Sequence, residues 1–431
     1  MLDIDFIAQH PDVVRRAIGA KGGELDLDRL LAEHGEVKSL LQRIESLRAE
    51  RNQLSKQTAS ASPEERQRLI EQSRAVGEEL KALEPKLREA EERRRELMLL
   101  VPNIPGPDEP VGFDEDANVE LRRWGEPPAF AFEARDHVDL LERNGWSDGG
   151  RVGKLAGSRT YALRGDAVLL EMALWRFAID LLRERGFTPI ELPSLAREAA
   201  FVGTGHFPAG RDDVYALEDD LYLSGTAEVG LNYLHSGEIL SEAELPVRYA
   251  GFSTCFRREA GAAGRDVRGL VRVHQFYKVE QYVLCAADAG ESARWFDALL
   301  ANAEALVQAL ELPYRIVRLC TGEMGAGKVR AWDIECWIPA QGRYRETHTV
   351  SELTDWQARR ADLRYRGEDG KVRHAYTLNN TAVATPRILV PLLEVHQRAD
   401  FSVRVPVALR PYLGGVEVVG GRRLGGGWAE R

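Results

Sequence analysis

Cysteine is scarce in this chain of 431 residues: Cys255, Cys285, Cys320 and Cys336 are the only four, and no CxxC spacing links them. A disulfide framework and a cysteine-rich zinc site are therefore not expected, and a reducing cytoplasm suits the composition. No run of about 18 apolar residues occurs, so no membrane span is expected. The start, Met1-Leu2-Asp3-Ile4-Asp5, is acidic and lacks the apolar stretch of a signal peptide. Basic charge is not in excess either: 58 Lys and Arg against 68 Asp and Glu leave a net charge of −10. That excludes a uniformly basic nucleic-acid binder but not a basic patch on an acidic enzyme. Apolar residues make up 44% of the chain. This rules out wholesale disorder and fits two or three domains with cores of their own.

Residues 33 to 98 are dominated by Glu, Arg, Lys, Leu and Ala. Apolar positions recur at heptad spacing, first Leu40, Ile44, Leu47 and Leu54, then Leu69, Val76, Leu80, Leu83, Leu87, Ala90 and Leu97. Gln57 to Pro63 is a small polar break, with Ser62 as an N-cap, Pro63 at the first helical position and Glu65 completing a capping box. The pattern predicts two antiparallel helices joined at a tip, with a local bend at Pro85. A helix of ~23 residues spans ~35 Å, so the hairpin protrudes as an arm. Spacing alone leaves two readings open. One is a dimerisation coiled coil, although Arg51 and Arg94 interrupt its seam. The other is an arm whose cations, Arg43, Arg48, Arg51, Lys56, Arg66, Arg68 and Arg74, grip a phosphate backbone.

Asp3 to Leu31 reads as short helices, and Val101 to Pro107 as a stiff non-helical linker. The expected division is an N-terminal domain over 1–110, a catalytic body over 111–413 and a glycine-rich tail over 414–431, loose from Gly420 to Gly427. In the body, Asp166 to Arg185 is amphipathic, with Leu169, Leu170, Ala173, Leu174, Phe177 and Leu181 on one stripe. Strand patterns fill Val247 to Phe256, Leu270 to Leu284, Arg315 to Cys320, Trp332 to Ile338 and Tyr344 to Val350, and helices return at Glu291 to Leu310 and Thr354 to Leu363. This predicts an α+β domain built on an antiparallel sheet. Gly322 to Val329 nearly matches a P-loop, but Val329 replaces the required hydroxyl and a strand follows, so it reads as a turn between strands.

The segment Phe256-Arg257-Arg258-Glu259 enters a loop carrying Arg265 and Arg268 and returns as Arg272-Val273-His274-Gln275-Phe276-Tyr277-Lys278-Val279-Glu280. Strand alternation puts Phe276, Lys278 and Glu280 on one face, joining an aromatic ring, a cation and a carboxylate. This pair of strands resembles motif 2 of class II aminoacyl-tRNA synthetases. Thr377 to Gln397, TLNNTAVATPRILVPLLEVHQ, resembles their motif 3, and Gly186 to Leu195, GFTPIELPSL, their motif 1. Gly225-Thr226-Ala227-Glu228, the run from Glu346 to Arg360 and the N-terminal arm narrow the resemblance to the seryl-tRNA synthetase family, bacterial type, over residues 1 to 413. The resemblance implies a six- to seven-stranded antiparallel sheet, a homodimer in the cytoplasm, and an arm that holds tRNA(Ser), with tRNA(Sec) as a second candidate. It implies neither DNA nor membrane as a partner.

The implied substrates are ATP, L-serine and tRNA, with Mg2+ as the metal. By resemblance, Arg257 and Arg387 are the catalytic pair: Arg257 on the α-phosphate and the attacking carboxylate, Arg387 on the γ-phosphate at a helix start formed by Thr385 as N-cap and Pro386. Arg258, Glu259, Val273, Thr347 and His348 join them in ATP binding, with Phe276 stacked under adenine. Glu346 and Thr349 are the magnesium contacts, which in an ideal strand would face opposite sides and so demand a bulge or strand end. Serine falls to Thr226, Ala227 and Glu228 around the amino group, with Arg257, Lys278, Glu280 and Thr381 completing the pocket. Arg43, Arg51, Lys56, Arg66 and Arg74 are the expected tRNA contacts. Pro391, six positions into the motif 3 helix, predicts a local distortion. The competing expectations are a synthetase-like ligase that loads a carrier protein, which would lack the arm, and a catalytically dead RNA-binding scaffold.

Overall fold

The computed structural model describes residues 1–261, 264, 266 and 268–421, which divide into two compact units, Met1–Pro102 and Asn103–Arg431. In the first unit, Asp3 caps α1 (Ile4–Gln9) by accepting the Asp5 and Phe6 N–H groups, and Pro11 opens α2 (Pro11–Ala20). Two long helices, α3 (Leu27–Ser60) and α4 (Pro63–Leu100), make the expected hairpin. α3 starts earlier than expected because Asp26 accepts the Arg29 N–H at 3.0 Å and Leu27 and Leu30 are buried. Ile44, Leu47 and Leu54 pack on Val76 and Leu80, the heptad seam read from the sequence. At the tip the Ser62 hydroxyl accepts the Glu65 N–H at 3.4 Å; the Glu65 carboxylate takes the hydroxyl proton rather than the Ser62 N–H, so only half of the capping box forms. α4 continues through Pro85 without interruption. Cross-helix ion pairs flank the seam: Arg43–Glu79 at 2.6 Å, Arg48–Glu84 at 3.1 Å and Arg93–Glu33 at 2.9 Å.

The second unit is built on an eight-stranded sheet. In chain order its strands are β1 (Val119–Trp124), β2 (Thr188–Glu191), β3 (Val247–Phe256), β4 (Gln275–Cys285), β5 (Tyr314–Arg318), β6 (Arg330–Ile338), β7 (Arg343–Thr354) and β8 (Tyr376–Thr385). They lie side by side as β1-β5-β6-β7-β8-β4-β3-β2. All pairs are antiparallel except β2 with β3 at one edge. The sheet thus has one or two more strands than expected, and one parallel edge, because the motif 1 strand docks alongside β3 rather than folding back on it.

The core lies between the sheet and α5 (Asp166–Glu184) and α8 (Ala289–Ala309), where Leu170, Leu174, Leu299 and Leu306 meet Val279, Val283 and Leu378. The buried stripe of α5 runs through Leu170, Ala173, Leu174, Ala178 and Leu182, whereas Leu169, expected inside, is 52% exposed. Four shorter helices complete the description of the site: α6 (Glu198–Thr204), α7 (Glu228–Tyr233), α9 (Trp356–Ala361) and α10 (Leu389–Val395). The glycine-rich run Gly322–Val329 joins antiparallel β5 and β6, as a turn rather than a phosphate loop. Near the end of the described chain, Val418–Val419 pairs with Val403–Arg404, and the Gly421 N–H bonds Asn144 at 2.8 Å. The loose tail expected from Gly420 therefore does not begin there; Gly425 to Gly427, like Arg265, lie outside the described residues. The four cysteines are buried free thiols.

Candidate active site

β3 and β4 are adjacent, and β4 borders β8, so motif 2 and motif 3 side chains converge on one face. The face is a cleft lined by Arg257, Phe276, Lys278, Glu346, Thr381 and Arg387, among others. The two arginines, 130 residues apart in sequence (387 − 257), therefore share one cavity. Arg257 follows β3 directly; its Nε donates to the Gly225 carbonyl at 3.4 Å, and its guanidinium lies 5.1 Å from the Phe276 ring centre. A Cβ at Gly225 would sit 3.2 Å from the Arg257 Cγ, so the glycine gives the arginine its place. The Arg387 Nε donates to the Val271 carbonyl at 3.2 Å, and its Nη1 pairs with Glu346 at 3.3 Å.

Arg387 does not start a helix. Thr385 ends β8, and its hydroxyl oxygen accepts the Trp175 indole N–H at 2.7 Å instead of capping. A turn of i to i+3 bonds follows, Leu389 N–H to Pro386 O at 2.9 Å and Val390 N–H to Arg387 O at 3.1 Å, and α10 begins only at Leu389. The distortion expected at Pro391 presumed a helix already under way from Thr385, and no such helix precedes it. Pro391 falls in the first turn of α10, where its missing N–H is no loss, and the Arg387 carbonyl it could not serve is taken by Val390.

Glu346 and Thr349 do come together, with Thr349 Oγ1 donating to Glu346 Oε1 at 3.4 Å. The required bulge is present. Ile334 pairs with His348 and Glu335 with Glu346, leaving Thr347 as the extra residue. The bulge keeps Thr347 on the cleft lining, while the Thr347 and His348 side chains take protein partners. The Thr347 hydroxyl is engaged by the Ile334 carbonyl at 3.1 Å, and His348 is buried with Nε2 on the Ala382 carbonyl at 3.0 Å. Burial pushes His348 down to about 4, so it is a neutral structural donor at pH 7. Glu346 stands at the exposed rim of the cleft; partial desolvation pushes its carboxyl up, but Arg387 and then Arg257 outweigh this and hold it below the ordinary range.

The Arg258 side chain is exposed and does not line the cleft; its backbone N–H bonds the Asp213 carbonyl at 2.9 Å. Arg268 pairs with Asp136 at 2.6 Å, away from the nucleotide face. Glu259 and Val273 do line the cleft, with Glu259 clamped by Arg272 at 3.0 Å.

Beside the cleft, Lys278 and Glu280 form a buried ion pair, and the Lys278 ammonium donates to Thr226 Oγ1 at 3.1 Å. Burial pushes the Glu280 carboxyl up, and Lys278 pulls it back. Thr381 sits directly opposite Glu280 across the β8–β4 ladder, half-buried and open to the cleft. Thr226 and Glu228 do not line the cleft wall itself; they reach it through Lys278 and the start of α7. That start packs tightly on β3, since a Cβ at Gly251 would lie 2.7 Å from Leu231 Cδ1. The Ala227 methyl is buried with Leu192 and Leu231, so no side-chain contact with a ligand is open to it.

Three side chains escaped the sequence reading. Asp333, opposite Thr349 across the β6–β7 ladder, is 8% exposed with Oδ1 unpartnered; burial, then Glu346, push it well above the ordinary carboxylate range. Alternation along β6 could have found it once the bulge was known. Gln357 and Asn379 both bond Glu228, and only tertiary structure brings them there. The orphaned Asp333 oxygen beside Glu346 and Thr349 is a hard-oxygen donor set of the kind magnesium takes together with water and phosphate. Among the described residues no group of three His, Cys, Asp or Glu forms a metal cage.

The family model for the class II tRNA synthetase core domain (G, H, P, S and T) matches residues 214–396, and that for the seryl-tRNA synthetase N-terminal domain matches residues 1–105. The chain is 58% identical to the serine–tRNA ligase of Deinococcus radiodurans, over 97% of this chain and 99% of that one. The crystal structure of seryl-tRNA synthetase from Pyrococcus horikoshii complexed with ATP aligns with a TM-score of 0.91 at 39% identity, covering 97% of this chain and 99% of that chain. The cytoplasmic serine–tRNA ligase of Naegleria fowleri in complex with AMP aligns at 0.87 and 29% identity, with the same coverage. With likeness of this degree along the whole length, and both motif arginines in one cleft, the chain belongs to the seryl-tRNA synthetase family, the serine–tRNA ligases of class II.

Proposed function

We propose that the cleft carries out both half-reactions of serine–tRNA ligation with the side chains just described. In the first, a serine carboxylate oxygen attacks the α-phosphorus of ATP, the bond to the bridging oxygen breaks, and pyrophosphate leaves seryl-adenylate behind. Arg257 neutralises the α-phosphate and the incoming carboxylate together, a task for which its planar fork suits two oxyanions better than a lysine would. Arg387 takes the γ-phosphate. Fixed cations at both ends of the triphosphate hold it in line for attack, and positioning with electrostatics supplies most of the catalysis in such transfers. In the second, the 3′-terminal ribose hydroxyl of tRNA(Ser) attacks the activated carbonyl, and AMP leaves. The same hydroxyl chemistry would serve tRNA(Sec).

Phe276 provides the apolar face for adenine, with Val273 and Glu259 beside it. Thr226 and Glu228 receive the serine ammonium, and Glu280 with Thr381 reads its hydroxyl. Glu346 and Thr349 would hold magnesium, which when bound offsets phosphate charge. On the arm, Arg51, Lys56, Arg66 and Arg74 are exposed or half-buried and make no ion pair among the described residues, which leaves them to the tRNA backbone, whereas Arg43 is held by Glu79. A homodimer is supported by Leu169 and Met172, each 52% exposed and on one side of α5. We place the enzyme in the cytoplasm with ATP and tRNA.

The observation that carries this reading is the shared cleft of Arg257, Arg387, Lys278 and Thr381. The test is charging of tRNA(Ser) by the purified chain, run beside ATP–pyrophosphate exchange with serine. Both reactions should proceed. Exchange without charging would point to a carrier-loading ligase, and neither to a scaffold.

A further inference from the structure

Glu228 is held by more than its own helix. The Gln357 Nε2 donates to Glu228 Oε1 at 2.7 Å, and the Asn379 Nδ2 donates to the same oxygen at 3.0 Å. These donors come from α9 and β8, two elements distant in sequence from α7. Gln357 is fully buried and fixed at both ends: Nε2 also donates to the Thr204 carbonyl at 3.1 Å, and Oε1 accepts the Thr377 hydroxyl at 2.8 Å. A backbone carbonyl on one end and a hydroxyl on the other leave only one way round for this amide. Glu228 Oε2 receives no donor from the described residues.

The neighbourhood explains why such a clamp is needed. Glu228 lies close enough to Glu280 to raise its affinity for a proton. Lys278 is paired with Glu280 and bonded to Thr226, the residue two before Glu228. A freely rotating Glu228 would swing toward that ammonium and close a three-membered ion cluster. Glu228 would then spend acceptor capacity on the ammonium's remaining N–H rather than on a ligand. Held by two amides, Glu228 keeps one oxygen outward, and the pocket retains one negative charge beyond the lysine's positive one. That is the complement of one incoming ammonium.

We infer that Gln357 and Asn379 are positioning residues for amino-acid selection, which pin the Glu228 carboxylate so that Oε2 receives the ammonium group of serine. The inference rests on the assignment of Glu228 to the serine ammonium. Both residues act through Glu228 and touch neither substrate. Preorganised acceptors of this kind lose ligand affinity when their supporting donors are removed.

The test is ATP–pyrophosphate exchange by the full-length chain carrying Gln357→Met, Asn379→Leu or Glu228→Gln, and each of the first two combined with Glu228→Gln. The KM for serine should rise roughly tenfold to a hundredfold in Gln357→Met and Asn379→Leu, the range for a lost hydrogen bond to a charged group. The KM for ATP should stay within about twofold, and the combined variants should be little worse than Glu228→Gln alone, since the donors act only through that carboxylate. Equal rises in both KM values, additive effects, or an unchanged serine KM would overturn the inference. If the buried Gln357→Met fails to fold, Asn379→Leu carries the test, because among the described residues the Asn379 side chain bonds Glu228 alone. An unchanged serine KM in Glu228→Gln would instead refute the underlying assignment, so the two failures are distinguishable.

Discussion

Thr381 shows how much one residue owes to its partner strand. Its side chain shares a sheet face with Glu280 because the two are register partners on β8 and β4. A buried polar site matched to a hydroxyl rejects a ligand that lacks it, since the site's own groups are then left unpaired. In Thr381→Ala, preference for serine over alanine in the exchange reaction should fall by about tenfold or more; unchanged discrimination removes the assignment. Residue chemistry was legible where alternation was regular. Phe276, Lys278 and Glu280 share the expected face because β4 has no bulge among them. Between Glu346 and Thr349 it was not: only their expected pairing, and not the local sequence, called for the bulge in β7 that resets the alternation. Asp333, Gln357 and Asn379 were missed for a related reason: each acts across a ladder or helix contact that local sequence does not encode.

At the scale of elements, caps and seams were the readable features. Ser62 and Pro63 start α4 as expected, and the heptad positions bury as expected, because both depend on neighbours within one turn. The motif 3 helix was misread. Thr385 and Pro386 have the composition of a cap and first turn, but the Trp175 indole engages the Thr385 hydroxyl and β8 extends to that residue. The far end of α10 carries a titratable group with a definite expectation. His396 caps it, with Nε2 on the Leu310 carbonyl at 2.8 Å and Nδ1 on Arg404 at 2.9 Å. Burial pushes His396 down from 6.5 to about 4. The unfolded chain therefore takes up a proton near pH 6.5 that the folded chain refuses until about pH 4, so this group's contribution to stability is present at neutral pH and is lost as pH falls through that window. The fall from 6.5 to about 4 corresponds to about 3 kcal/mol. His396→Gln should flatten the decline of the melting temperature between about pH 6.5 and 4.5 relative to the parent chain; parallel pH profiles would show that His396 does not contribute.

For the whole molecule, the arm and the pairing of chains make independent claims. A-form RNA hides its major-groove edges, so the arm is expected to read backbone and shape. Reversing Arg51, Lys56, Arg66 and Arg74 to Glu should weaken tRNA binding and reduce the slope of log affinity against log salt by roughly one for each phosphate no longer neutralised. It should leave serine-dependent exchange intact, because exchange needs no tRNA. A salt-insensitive affinity in the parent chain contradicts the arm's role. Sedimentation should find a dimer, and Leu169→Glu with Met172→Glu should shift it toward monomer; a chain that is monomeric from the start contradicts the reading of that α5 surface.

The central claim is that Arg257 and Arg387 grip opposite ends of one triphosphate while serine attacks between them. Serine-dependent ATP–pyrophosphate exchange, measured on the parent chain and on Arg257→Ala and Arg387→Ala, tests it most directly. Each single replacement should cut kcat/KM by at least about a hundredfold, the scale expected when a preorganised charge at a transferring phosphoryl group is removed. Exchange that survives either replacement within a few-fold of the parent would contradict the account.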